Sequence, residues 1–92
     1  MKIVVNRCFG GFGLSEEAYE FLGLTWDNYG FRYSDYASRT DTKLIECVEM
    51  LGSKRASGMF AKLEVVEIPD NVDWEISDYD GIETIHERHR SW

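Results

Sequence analysis

Ile3, Val4 and Val5 form a β-branched run bounded by Asn6 and then by the glycines at 10, 11 and 13. A short continuous apolar run between turn signals predicts a buried strand. Ser15 followed by Glu16 and Glu17 supplies a helix N-cap and two acids for the dipole, and Ala18, Phe21 and Leu22 share one face up to Gly23, so a short helix is expected after the glycines. Residues 24–40 carry Trp26, Tyr29, Phe31, Tyr33 and Tyr36 among Asp, Asn, Gly and Ser with no sustained period. This reads as a long ordered loop with two or three of its rings plugging the core. Leu44, Ile45, Val48 and Leu51 then recur at helical spacing between a capping Thr40 or Asp41 and a terminal Gly52, which predicts a helix over 41–51.

After a small polar stretch at 54–58, Leu63, Val65, Val66 and Ile68 announce a strand that Pro69 and Asp70 end. Val72, Trp74 and Ile76 alternate strictly with Asp73, Glu75 and Ser77, as in a strand with one wet face. Asp80-Gly81 is a strong hairpin signal, so 82–87 is expected to return as the partner strand. A helix over 82–88 is the rival, because Ile82, Ile85 and His86 also fit that period. The order of elements predicts a single α+β domain over residues 1–92, with two layers: a mixed sheet of three to four strands and two helices on one face. Helices join the first strand to the strand at 63–68, so these two are expected to run parallel, with a right-handed crossover if they are neighbours.

Apolar residues make up 43% of the chain and aromatics 14%, with one proline, a composition that folds. At 92 residues there is room for one core with little margin, and forming a homo-oligomer is an ordinary remedy. Seventeen acidic against ten basic side chains give a net charge of −7, which argues against broad contact with nucleic acid or with an anionic membrane surface. The acids concentrate between Glu64 and Glu83, whereas Arg88, His89 and Arg90 form a basic cluster. Two cysteines, and an N-terminal apolar run far too short for a targeting segment or a membrane span, lead to the expectation of a cytoplasmic protein.

A glycine-rich turn between a strand and a helix start can present backbone N–H groups and a helix dipole to an anion, and Arg7 sits at its lip. Gly10, Gly11 and Gly13 do not complete the dinucleotide fingerprint, since its third glycine would fall at Glu16, and no Gly-Lys-Ser/Thr follows. A tight turn at positive φ is the competing explanation for these glycines. Cys8 precedes the turn, but a phosphatase-type loop wants an arginine six residues later and position 14 is leucine; Cys47, beside Val48, reads as a small apolar filler. His86 and His89 lack the paired-cysteine pattern of structural zinc, so no metal or cofactor is expected. Arg32 and Arg39 in or beside the aromatic loop, with His86, Arg88, His89, Arg90 and Trp92, offer cations and rings to a nucleotide-like anion. Core packing of the loop rings and a solvated terminus compete with that reading.

The stretches 2–15, Glu-Ile-Pro-Asp at 67–70, Trp-Glu-Ile at 74–76, Tyr-Asp-Gly-Ile-Glu at 79–83 and His-Arg-Ser-Trp at 89–92 resemble a family of small proteins encoded by bacteriophages and prophages. The resemblance covers the two ends of the chain and leaves out the aromatic loop. It implies a viral accessory role, with counter-defence as its setting, and assigns no catalytic residue. The leading expectation is a non-enzymatic binder of an anionic, nucleotide-like small molecule through Arg7, Gly10, Gly11, Gly13, Arg32, Arg39 and the basic terminus. The alternative is an acidic inhibitor of a host protein such as a nuclease, using the carboxylates of 64–83. An enzyme is disfavoured because spacing assembles no nucleophile, base and orienting group.

Overall fold

The computed structural model describes residues 1–87. Strand β1 (Lys2–Asn6) pairs with β2 (Leu63–Glu67), Val4 opposite Val65 and Ile3 opposite Val66. Side chains alternate across a strand, so Val4, Leu63 and Val65 turn to one face and Ile3, Val5 and Val66 to the other. The first face packs on α1 (Glu16–Leu22) and α2 (Thr42–Leu51) through Ala18, Tyr19, Leu44 and Val48. The second face packs on a hairpin of β3 (Trp74–Tyr79) and β4 (Ile82–Glu87) through Ile76 and Ile85. Burial on both faces explains why β1 reads as an unbroken apolar run and does not alternate. Each fully buried Ile, Leu or Val contributes about 1.5 to 3 kcal/mol of transfer free energy.

The helices form where their caps require. Ser15 Oγ accepts the Ala18 N–H at 3.0 Å, and Gly23, at φ 72°, ends α1. Asp41 Oδ1 accepts the Lys43 N–H at 2.8 Å to start α2, and a further single turn, α3 (Ser53–Ala56), runs into the small polar stretch and was not anticipated. Asp80 and Gly81, at φ 51° and 93°, make the expected two-residue turn with positive φ at both positions. The segment after it is the strand β4 and not the rival helix, although Arg88 lies outside the described residues.

Three expectations are corrected. There is no mixed sheet among the described residues, but two separate two-stranded antiparallel ribbons. β1 and β2 run antiparallel, because the chain returns to the end of β1 that it left: Gly58 N–H donates to Gly13 O, Arg7 N–H to Lys62 O, and Leu14 bridges Ser57. A parallel crossover would have to deliver the chain to the opposite end. The aromatic loop is ordered, yet none of its five rings is fully buried: Trp26 and Tyr33 are half-buried against the helical core, and Tyr29, Phe31 and Tyr36 are exposed. Polar contacts add to this partial packing. Asp27 Oδ1 accepts the N–H groups of Gly30 and Tyr29, which hold its carboxyl below the usual aspartate value, and Oδ2 accepts the Tyr19 hydroxyl.

Cys47 is fully buried in the helical core, and desolvation pushes its thiol up to about 11. At pH 8 its thiolate fraction is therefore on the order of one in a thousand. A disulfide reagent added to native protein should label the half-buried Cys8 and spare Cys47 until denaturant is added. Equal labelling rates for both thiols in the native state would contradict this packing.

Candidate ligand-binding cleft

The glycine turn is a packing device. A Cβ on Gly10 would collide with the Cβ and carbonyl oxygen of Phe60, and one on Gly81 would collide with Phe9 O and Gly11 N. Loops from three parts of the chain thus touch backbone to backbone, which only glycine permits. The Gly11 N–H is spent on Cys8 O, and Gly13 O accepts from Gly58. The first turn of α1 is capped by Ser15, whose own hydroxyl donates to Arg55 O. Phe9, Met59, Phe60 and Tyr79, on or beside these loops, are exposed.

Arg39 is not at the surface: it and Glu83 are each about 1% exposed and form a bidentate pair, with Nη1 2.5 Å from Oε1 and Nη2 2.7 Å from Oε2. The other donors of the guanidinium go to Tyr33 O, Ser34 O and Val4 O, and its plane lies over the Phe12 ring at 3.8 Å. Met1 and Arg7 hydrogen-bond to β2 residues or their extension, so by alternation Val4 and Asn6 aim their backbone groups at the opposite edge of β1. On that edge Val4 C=O meets Arg39 and the Asn6 N–H donates to Glu83 Oε1 at 2.7 Å. The ion pair thereby stands where a third strand would, closing an edge that would otherwise be left open. Glu83 was legible as an inward residue, since the hairpin register sets it on the face of Ile76 and Ile85.

Of the residues expected to bind a ligand, the structure brings Arg7 and His86 into one cavity. The Ile3–Val5–Ile76 cluster is open on one side, where Val66, Ile68, Trp74 and Ile85 remain half-buried. A cleft of about 660 Å³ begins there, with Arg7, Val72, Pro69 and the run from Thr84 to Glu87 completing its walls. The Arg7 side chain is 32% exposed; its Nη1 donates to Glu83 O at 2.8 Å and its Nε lies 3.8 Å from Glu64. His86 Nε2 is 3.0 Å from Thr84 Oγ1.

The other expected residues are elsewhere. Gly10, Gly11 and Gly13 lie in the loop packing, Arg39 in the buried pair, and Arg32 has an exposed side chain, with its N–H donated to Tyr19 Oη. Arg88, His89, Arg90 and Trp92 fall outside the described residues. Sequence reading missed Trp74 and Ile85 as cleft walls, although both lie on the inward phase of the hairpin. Among the described residues no cluster of His, Cys, Asp and Glu could hold a metal ion, and no helix is long and apolar enough to cross a membrane. Comparison with family models, curated proteins and solved structures gives no match.

Proposed function

We propose that this protein is a non-enzymatic binder whose ligand has an apolar or ring-bearing body and one negative charge. The observation that carries this reading is the cleft itself, whose size is that of small-molecule sites. Its walls are Val66, Ile68, Val72, Ile85 and Trp74, with a single arginine at one end. Trp74 offers a ring for stacking and Arg7 a charge-assisted hydrogen bond. Glu64 beside Arg7 and Glu87 in the wall favour one anionic group over a polyphosphate, which narrows the nucleotide-like expectation to its ring and a lone charge. In the accessory role that the resemblance implies, the activity is sequestration of a host component in the cytoplasm.

The dye 8-anilinonaphthalene-1-sulfonate, an apolar ring-bearing monoanion, is the probe. It should bind native protein one to one, and Arg7→Ala should weaken it about tenfold or more, since a hydrogen bond to a charged group contributes about 1.5–3 kcal/mol. The amide spectrum should stay native. Unchanged affinity in the variant would remove Arg7 from the site. Displacement by a nucleoside triphosphate at lower concentration than by a monocarboxylate would overturn the single-charge reading.

A further inference from the structure

We infer that the cleft receives the carboxyl-terminal end of an extended peptide, which adds to the open edge of β4 as an antiparallel strand and places its terminal carboxylate on Arg7. The inference rests on the cleft reading above and names the partner of that site.

The turn at Asp80-Gly81 joins Tyr79 and Ile82 directly, and in such a two-residue hairpin the flanking residues form a hydrogen-bonded pair. Bonded and non-bonded pairs alternate from there, so Glu83, Ile85 and Glu87 point their N–H and C=O groups away from β3. Arg7 bears this out by donating to Glu83 O from that side. Beyond Glu83 the same edge runs along the cleft, and among the described residues no backbone partner stands there at Ile85 or Glu87. An edge of this kind is a template for another strand.

Arg7 sets the direction. Its guanidinium fills the edge at Glu83 and stops an added strand there, and a strand antiparallel to β4 enters beside Glu87 and ends at Arg7. A guanidinium at the place where a peptide terminates matches a carboxylate. Glu87 at the entry and Arg7 at the stop give the cleft a polarity from negative to positive, the reverse of the charge a peptide presents when its C-terminus leads inward. Alternate side chains of the added strand would fall on Val66, Ile68 and Trp74.

The test uses pooled heptapeptides with aliphatic or aromatic residues at alternate positions, prepared as free acids and as C-terminal amides. Free acids should bind at least tenfold more tightly than amides and compete with the dye. Binding should slow hydrogen exchange at the Ile85 and Glu87 amides. Arg7→Ala should erase the difference between acid and amide; Arg7→Lys, which keeps the charge, should retain part of it and serves if the alanine variant does not fold. Peptides that bind without protecting Ile85 and Glu87, or equally as acid and amide, would overturn the inference. If no peptide binds while the dye still does so through Arg7, the peptide inference fails and the cleft reading stands. If the dye binding is also indifferent to Arg7, both fail.

Discussion

Glu83→Ala should lose about 3 to 5 kcal/mol of stability in urea unfolding followed by circular dichroism. For a domain of this size the whole stability is on the order of 5 to 14 kcal/mol, so the variant should be largely unfolded at temperatures where the parent is native. The large effect comes from what remains behind. Arg39, buried in the parent, would be left with two donors unanswered, and the Asn6 N–H would lose its acceptor. Buried ion pairs can often be exchanged for apolar residues at little cost, but that route is closed here. Arg39→Met with Glu83→Leu would strand the buried Val4 O and Asn6 N–H and take the donor from Tyr33 O and Ser34 O, so the double variant should also be destabilised. A Glu83→Ala protein within 1 kcal/mol of the parent would show that solvent already reaches the pair.

Asn6→Ala is expected to cost about 3 kcal/mol. Its fully buried amide donates to Cys8 O and Gly81 O, each at 2.6 Å, and accepts from Lys62 N–H at 2.8 Å and Cys8 N–H at 3.3 Å. One side chain thus ties the end of β1, the start of β2 and the hairpin turn. Net hydrogen bonds count for about 1 kcal/mol each, and stranded buried partners for 1–3. Asn6→Asp separates the two halves of the amide: it keeps an acceptor for Lys62 and Cys8 and turns oxygen toward oxygen at Gly81 and Cys8. It should be destabilised at pH 7 as well. In Asn6→Ala the Lys62 amide, which loses its acceptor, should exchange with solvent faster than in Asn6→Asp. If Asn6→Asp is as stable as the parent, the two donor bonds contribute nothing.

Local chemistry was legible wherever neighbours in sequence decide the outcome. Ser15 and Asp41 cap their helices, Asp80-Gly81 turns the hairpin, and Ile3-Val4-Val5 is buried on both faces. What the local pattern does not encode is the partner of each face. The period of β1 gives its burial but not the direction of the strand beside it, which was settled by a tether between Gly58 and Gly13. Arg39 looked like a cation for a ligand because its counter-charge lies 44 residues away. Glu83 looked like one acid in a run of eight, although the register at Asp80-Gly81 already put it inward with Ile76 and Ile85, where an acid demands a cation. Likewise the failed nucleotide fingerprints were visible in the glycines, while the backbones of Phe9 and Phe60 that pack near them were not. Arg7, expected at the lip of the turn, is one of the residues that line the cleft.

The closure of β1 by Arg39 and Glu83 has a consequence for how the protein is born. A ribosome builds the chain towards its C-terminus, and β1 needs β2 for one edge and Glu83 for the other, both made after it. Until Glu83 emerges, the nascent chain holds Arg39 without its counter-charge and Ile3 and Val5 without the hairpin that covers them. Non-local contacts of this kind repay their loop-closure cost late. Folding therefore waits for synthesis to pass Glu83, and a message cut short before that codon yields a sticky fragment exposed to chaperones and proteases.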